Sequence, residues 1–272
     1  MSKHDRAEIR RYYDRVGWQD VAAGLPFDTA VNVGEPLQPR RRRLRTGRHG
    51  FPQGGRRYLD AGCGANPRAD LAAGFDLHVC VDFSRVGLAK ALQPPPHCAV
   101  GVVADLTCLP LVDGAFAAIC CDNVLFHMTP SDQLRALREL YRVLEPGGQL
   151  WIGYSKGPHW WAEKLASRLV RSARSLRRTA GRVAGDEARA TAILYEPCSP
   201  AWWRRSLRRL GLRYRLVPDP WLGRPWTDRM PAVVARAVRL GLRFACGVVP
   251  PVGLVLAQRY HMVIHKQGDV LA

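Results

Sequence analysis

Residues 55–68 read Gly-Arg-Arg-Tyr-Leu-Asp-Ala-Gly-Cys-Gly-Ala-Asn-Pro-Arg, and this stretch decides the fold. A short apolar run ends at Asp60, and Gly62, Gly64 and then Asn66–Pro67 follow it. Asparagine is a favoured N-cap and proline suits the first helical position, so we expect a helix from about residue 67. The pattern predicts a strand, a glycine turn and a helix N-terminus. A ligand can lie against such a turn because glycine has no Cβ, and the helix N-terminus would add unpaired N–H groups.

The glycine turn departs from the dinucleotide-binding pattern G-x-G-x-x-G, because Pro67 stands where the third glycine would be. Asp60 lies two residues before the first glycine, and this spacing strengthens the prediction of a nucleotide-type site at the turn. The run Leu59-Asp60-Ala61-Gly62-Cys63-Gly64 resembles the first motif of the class I S-adenosylmethionine methyltransferases. One motif is not enough to support this resemblance, so the later motifs of the family must also occur in this chain at the expected positions.

A second apolar strand, Leu77 to Val81, ends at Asp82, which lies 18 residues after Gly64. In nucleotide-binding α/β units, an acidic residue at the end of the second strand accepts hydrogen bonds from the ribose hydroxyls. Adjacent parallel strands end at the same edge of a sheet, so Asp82 is expected beside the glycine turn. Phe83 would then pack on the base. The alternative is that Asp82 is a surface turn residue.

A third apolar strand, Cys98 to Ala104, is followed by Asp105 and Leu106. In the family that the glycine turn resembles, an acidic residue here accepts from the adenine amino group, and the next backbone N–H meets a ring nitrogen. Asp105 and Leu106 have those two positions. An ordinary loop aspartate is the alternative.

The fourth strand, Ala115 to Cys121, is nearly all apolar, which is typical of a parallel strand buried on both faces. Residues 122–127, Asp-Asn-Val-Leu-Phe-His, follow at its carboxyl end, where open α/β sheets bind ligands. A helix over Gln133 to Leu144 and a fifth strand over Gln149 to Tyr154 come next. The run from Leu137 to Gly148 closely resembles the family's segment before its fifth strand.

Four motifs therefore stand in order over residues 55–155. The chain resembles the class I S-adenosylmethionine-dependent methyltransferases of small-molecule type (methyltransferase type 11, UbiE-like). This resemblance implies an α/β fold, a Rossmann-like sheet of seven mostly parallel strands flanked by helices. It also implies S-adenosylmethionine as the cofactor.

The rest of the chain predicts a basic helical cap and the end of the sheet. Residues 158–183 form a helix with arginines along one side, Arg213 to Val217 is the sixth strand, and an apolar helix lies near Val233 to Phe244. Leu254 to His265 is the last strand, which in this fold runs antiparallel between the fifth and sixth. The predicted domains are an N-terminal helix and loop covering the cofactor site (1–54), the cofactor-binding core (55–155), and cap insertions with the last strands (156–272).

Positive charge is concentrated in the second part of the chain. Residues 155–272 hold 22 Lys/Arg and 7 Asp/Glu, whereas residues 1–154 hold 19 and 16. Nucleic acid, an anionic membrane face or an acidic substrate could each explain this excess. A GC-rich coding sequence could also explain it, since 36 of the 41 basic residues are arginine.

The sequence predicts no metal site, because its eight cysteines include no C-x-x-C pair. No uncharged apolar run is long enough to cross a bilayer, and the polar start of the chain lacks an apolar signal. We therefore expect a cytoplasmic protein with reduced thiols.

The resemblance assigns the cofactor contacts. Methyl transfer mainly requires that donor and acceptor are held in line. Gly62, Cys63 and Gly64 would present backbone to the methionine part, and Asp60 would support its amino group directly or through water. Asn123, after the fourth strand, would lie near the reacting methyl group.

Three further residues are candidates for the substrate side. His127 is the candidate general base, since an imidazole accepts a proton at neutral pH, and a packing or lining role is the alternative. Tyr154, after the fifth strand, is a weaker candidate base and is expected to contact substrate. Tyr12, or its neighbour Tyr13, on an amphipathic helix over residues 6–16, would line the pocket, with simple packing as the alternative.

The stretch after the fourth strand argues against a nucleic-acid substrate. Amino methylation of bases uses Asp/Asn-Pro-Pro-aromatic there and cytosine methylation uses Pro-Cys, whereas this chain has Asp122-Asn123-Val124-Leu125. We therefore expect methylation of O, N or C in a small molecule of specialised metabolism. The alternatives are a quinone or lipid methyltransferase that contacts the membrane surface through its basic cap, and an inactive S-adenosylmethionine-binding partner. The oligomeric state stays open.

Overall fold

Seven strands form one sheet in the computed structural model of the chain. The structure describes residues 9–11, 13–14, 51–93, 99–156, 196–219, 232–257 and 259–268. The strands are β1 (Gly55–Ala61), β2 (Phe75–Asp82), β3 (Ala99–Val103), β4 (Phe116–Asp122), β5 (Leu144–Ser155), β6 (Arg213–Asp219) and β7 (Arg259–His265). Their order in the sheet is β3-β2-β1-β4-β5-β7-β6, and β7 runs antiparallel to both of its neighbours. The predicted fold class and the place of the last strand are confirmed.

Helices connect the strands on both sides of the sheet. They are α1 (Ala69–Ala72), α2 (Arg85–Ala91), α3 (Pro130–Val143), α4 (Pro200–Arg209), α5 (Ala232–Val248) and α6 (Pro250–Leu256), with one 3₁₀ turn at Leu125–His127. The expected helix over residues 158–183 lies outside the described residues.

The helix after the glycine turn is much shorter than the sequence predicts. It is a single turn that begins at Ala69, and Asn66 does not cap it. The backbone N–H of Arg68 instead donates to the carboxylate of Asp60. The helix therefore starts later than expected, and the backbone donor directly before it is already used by a buried side chain.

Helix α3 begins earlier than its apolar periodicity indicates. Thr129 is the N-cap and accepts from the backbone N–H of Asp132, and Pro130 occupies the first turn. The helix buries Leu137, Leu140 and other apolar residues against the sheet. Strand β5 follows at once and runs from Leu144, through the Glu-Pro-Gly-Gly run that was expected to separate helix and strand.

The sheet has an apolar core on each face. The larger core contains Ile119 of β4, Leu140 of α3 and Trp203 of α4, and the smaller contains Tyr58, Phe75 and other buried residues. Alternation along the strands explains this division, since neighbouring residues point to opposite faces. Strands β3 and β6 are the two edges of the sheet, and both are partly exposed.

The carboxyl ends of the parallel strands meet at one edge. Ala61 pairs with Val81, and Asp82 pairs with Val103 in the next strand. Helices α5 and α6 connect the end of β6 with the start of β7, at the same edge. The last strand begins at Arg259 and not at Leu254, which lies in α6.

Candidate functional site

The glycine turn is fastened to the neighbouring strand by its own backbone. The N–H groups of Gly62 and Cys63 donate to the carbonyl of Val81 at 2.7 and 3.2 Å. Gly62 and Gly64 have φ angles of +72° and +53°, in the left-handed region that favours glycine. The turn is thus held in a conformation in which the two glycines present only backbone atoms.

Gly62 is also required because space is lacking beside it. A Cβ at this position would lie 2.5 Å from Cγ2 of Val124, in the segment after β4. The glycine turn and the 122–127 segment are therefore in direct contact, as expected for two parts of one site.

Asp82 lies at the centre of the strand edge. Its Oδ2 accepts from the N–H of Gly64 at 2.8 Å, and its Oδ1 accepts from the N–H of Ser84 at 2.8 Å. Burial raises the pKa of Asp82 to about 6, although these two hydrogen bonds lower it. Each carboxylate oxygen can accept a further hydrogen bond, so a diol is a suitable ligand at this position.

Asp60 lies at the end of β1 and is held by neighbouring side chains and backbone. Its carboxylate is buried, accepts from the N–H of Arg68, and lies 3.8 Å from Nε2 of His78. Burial opposes protonation of His78, but hydrogen bonds with Asp60 and Cys80 raise its pKa to about 9. The carboxylate of Asp60 thus helps to hold the residues that follow the glycine turn, and its contact with the ligand's amino group, directly or through water, stays a prediction.

Cys63 presents only its backbone to the strand edge. Its side chain is buried in a small cluster with Cys80, Leu88 and Ala91. Contact between the backbone of Cys63 and the methionine part stays a prediction.

Asp105 and Leu106 follow the end of β3. Oδ1 of Asp105 accepts from the N–H and the hydroxyl of Thr107, at 2.8 and 2.7 Å, which fixes the loop in a tight turn. The side chain of Leu106 is buried in the larger core, so its backbone is held in place at the edge.

Asn123 and His127 follow β4 in a segment that begins with a left-handed residue. Asn123 has a φ of +63°, and its N–H donates to the carbonyl of Gly153 at 3.0 Å. Left-handed non-glycine residues are uncommon, and they concentrate at functional sites. His127 ends the 3₁₀ turn and lies against Phe126, with ring centroids 4.5 Å apart.

The described part of the N-terminal segment closes over this edge. The ring of Tyr13 lies 5.7 Å from that of Phe83 and 6.1 Å from that of His127, both in edge-on contacts. The hydroxyl of Ser84 donates to Asp14 at 2.6 Å. Tyr12, the other candidate on this helix, lies outside the described residues.

Tyr154 does not face the site. It is fully buried, its hydroxyl donates to Oε1 of Gln133 at 2.8 Å, and the same hydroxyl accepts from the N–H of Cys198 at 2.7 Å. Burial raises its pKa well above the ordinary value. The expected contact with substrate is wrong, because the alternation along β5 turns this residue into the core.

Two ion pairs that share Asp122 were not predicted from the sequence. Asp122, at the end of β4, lies 3.4 Å from Nη1 of Arg68 and 3.1 Å from Nη2 of Arg259. A Cβ on Gly153 would overlap Oδ1 of Asp122, so this glycine leaves room for the carboxylate. The sequence signal for these ion pairs was the acidic residue that directly precedes Asn123.

In the part of the chain that the structure describes, no three His, Cys, Asp or Glu side chains come together as a metal site. None of the described helices is long and apolar enough to cross a membrane.

Residues 59–152 match the family model described as a methyltransferase domain. This segment, which is less than half of the chain, is similar to that family, and we call it the methyltransferase domain. The family implies S-adenosylmethionine as the methyl donor, and the buried, hydrogen-bonded Asp82 beside the glycine turn fits the ribose of that cofactor.

The methyltransferase domain also has a curated relative. A demethylmenaquinone methyltransferase from Beutenbergia cavernae is 36% identical over 108 residues, which cover 39% of this chain and 43% of the relative. The match therefore spans less than half of either protein.

Solved structures share the fold at low identity. S-adenosylmethionine-dependent methyltransferases from Archaeoglobus fulgidus and Methanosarcina mazei match with TM-scores of 0.53 and 0.52, at 14% and 15% identity. The first match covers 84% of this chain and 95% of the other, and the second covers 81% and 97%. The methyltransferase domain and the strands that follow it thus have the architecture of these enzymes.

Proposed function

We propose that the chain transfers a methyl group from S-adenosylmethionine to O, N or C of a small molecule. The observation that carries the proposal is the hydrogen bond between Asp82 and Gly64, which joins the ribose-binding carboxylate to the glycine turn. The cofactor supplies an electrophilic methyl group. The protein has to hold both reactants in line and keep water out.

Each part of the edge has a role in this proposal. Gly62 and Cys63 lie against the methionine part, Asp82 binds the ribose, and Asp105 with the backbone of Leu106 binds the adenine. Asn123 lies close to the reacting methyl group. Phe83 packs on the base, and Tyr13 covers it from outside through its contact with Phe83.

His127 is proposed as the base that accepts a proton from the substrate. Its ring lies against those of Tyr13 and Phe126, and the residue is only partly buried, which supports a place at the strand edge. A base is needed when the acceptor is a weakly acidic O–H group.

A matched pair of variants tests the cofactor assignment. Asp82→Ala should weaken binding of S-adenosylhomocysteine by about 1–3 kcal/mol in calorimetry, the usual effect of losing hydrogen bonds to a charged group. Asp76→Ala is the control, since Asp76 is an exposed aspartate near the opposite end of the same strand. Equal affinities in the two variants would remove the ribose assignment.

A lipid-soluble quinone is the second candidate substrate. The curated relative is a demethylmenaquinone methyltransferase, and helices α5 and α6 expose apolar side chains at the edge where substrate would arrive. An assay with labelled S-adenosylmethionine, a demethylated naphthoquinol and a cellular extract distinguishes these candidates. Normal cofactor affinity without any labelled product would favour an inactive cofactor-binding partner.

A further inference from the structure

Helix α5 carries an exposed apolar stripe. Val233, Leu240, Phe244 and Val248 are exposed, and Val233 and Phe244 are 81% and 66% accessible. Their spacings of seven, four and four residues place them on one side of the helix. Large apolar side chains that share one exposed face mark an interaction surface more often than a free surface.

Helix α6 extends the same surface. Val252 and Val255 are exposed on it, and Val249 is exposed at the joint between the two helices. We use the name hairpin surface for the exposed apolar stripe of α5 together with the exposed valines at the joint and on α6; Val238 is also exposed but lies on another side of α5. The residues of the hairpin surface are Val233, Leu240, Phe244, Val248, Val249, Val252 and Val255.

The hairpin surface is flanked by positive charge. Arg236 and Arg243 are exposed, and each follows a residue of the apolar stripe by three positions. Residues 229–268 contain no aspartate or glutamate. An apolar face bordered by arginines is the arrangement that binds the interface of an anionic lipid bilayer.

The hairpin is fixed beside the candidate site. Nζ of Lys156, directly after β5, donates to the carbonyl groups of Leu254 and Val255 in α6. The two helices leave the sheet at the end of β6 and return at Arg259, which pairs with Asp122. A lipid surface that held the hairpin would therefore lie close to the edge that carries Asp82 and Asn123.

We propose that the hairpin surface docks on an anionic lipid membrane. The docking does not depend on methyl transfer, so it stands apart from the proposed function. A second copy of the chain fits this surface less well, because a symmetric contact brings the same arginines of both copies together without acidic partners. An anionic bilayer supplies both the apolar layer and the opposite charge.

Vesicle flotation with the full chain tests the proposal. At low salt, the protein should float with phosphatidylglycerol–phosphatidylcholine vesicles, and much less with phosphatidylcholine alone. Phe244→Glu should lower the bound fraction about tenfold or more, because a large apolar contact is lost and a repulsive charge is added. Arg236→Gln with Arg243→Gln should weaken binding to the anionic vesicles by about fivefold for each charge.

The matched control is Val112→Glu, which places the same charge on an exposed valine in the loop between β3 and β4. This variant should float like the unaltered protein. Failure of the unaltered protein to float at low salt, or flotation of Phe244→Glu at the unaltered level, would overturn the proposal. A dimer in sedimentation that Phe244→Glu dissociates, without flotation, would assign the surface to a second copy.

Discussion

The backbone N–H of Gly64 donates to Oδ2 of Asp82 at 2.8 Å, although 18 residues separate the two in the chain. This hydrogen bond joins the turn that follows β1 to the carboxyl end of the adjacent strand β2. The carboxylate that is proposed to bind ribose also sets the shape of the turn that is proposed to bind methionine. Loss of its charge should therefore affect both halves of the cofactor site.

We expect cofactor affinity to depend on the ionisation of Asp82, whose pKa is about 6 because the side chain is buried. Ribose hydroxyls donate to the ionised form. Affinity for S-adenosylhomocysteine should be full above the pKa and fall by up to about tenfold for each pH unit below it. Calorimetry between about pH 5 and about pH 8 measures this trend.

The control for that trend is Asp82→Asn, which has no charge to lose. It should bind more weakly at neutral pH and show a flatter profile over the same range. A profile as steep as that of the unaltered protein would assign the pH dependence to another group.

Gly62→Ala should impair the turn in two ways. The φ of +72° strains an alanine, and its Cβ would lie 2.5 Å from Cγ2 of Val124. We expect a loss of about 2–4 kcal/mol in unfolding free energy, measured in urea, and weaker cofactor binding.

Two variants separate these effects. Gly147→Ala, with a φ of +81° and no atom within 4 Å of the added Cβ, should show only the backbone loss of about 1–2 kcal/mol. Adding Val124→Ala to Gly62→Ala should recover part of the difference. No recovery would mean that contact with Val124 is not the cause.

Tyr154→Phe should destabilise the protein by about 2 kcal/mol, because Gln133 and the N–H of Cys198 both lose a buried partner. Tyr214→Phe is the control, since that hydroxyl bonds to the carbonyl of Arg204 in an exposed position at 3.3 Å. Thermal unfolding compares the two. Unchanged stability of Tyr154→Phe together with loss of methyl transfer would restore the substrate role.

Asp122→Asn should cost about 3 kcal/mol in unfolding free energy, because Arg259 would lose this compensating charge in a largely buried setting, while Arg68 would keep its pair with Asp70. The control is Asp113→Asn. Asp113 pairs with Arg142, but its side chain is 77% exposed, so the loss should stay under about 1 kcal/mol. Similar losses at the two sites would show that the buried chain of charges adds no special stability.

His127→Gln should lower the rate of methyl transfer by about a hundredfold, within the range of a lost general base, with little change in the dissociation constant of S-adenosylhomocysteine. His265→Gln is the control; that residue ends β7, away from the candidate site. A reduction of less than about tenfold at His127 would leave it a packing residue.

The positions of the first four strands and their carboxyl ends could be predicted because their signals are local, whereas the starts of β5 and β7 could not. The apolar run of β4 and the spacing between Gly64 and Asp82 place these residues from sequence alone, and the structure brings Asp82 to the turn. The antiparallel last strand came from the family resemblance and not from any residue pattern, since strand order depends on long-range pairing.

The direction of individual side chains could not be predicted in the same way. Asp60 and Tyr154 both lie near the carboxyl ends of their strands. The backbone N–H of Arg68 donates to Asp60, and the alternation along β5 places Tyr154 in the core. The pairing of Asp122 with Arg259 joins residues 137 positions apart, and no local pattern carries that information.

The hydroxyl of Tyr154 holds the N–H of Cys198, and the N–H of Glu196 donates to the carbonyl of Phe126 at 2.8 Å. Residues 196 and 198 are thus bound close to the end of β5, where the chain leaves the sheet. Closing a longer connection between fixed ends costs only about 0.6 kcal/mol for each doubling of its length. Any chain that joins residues 156 and 196 therefore starts and ends at positions that the buried core already fixes, so a change in its length should cost the sheet little stability.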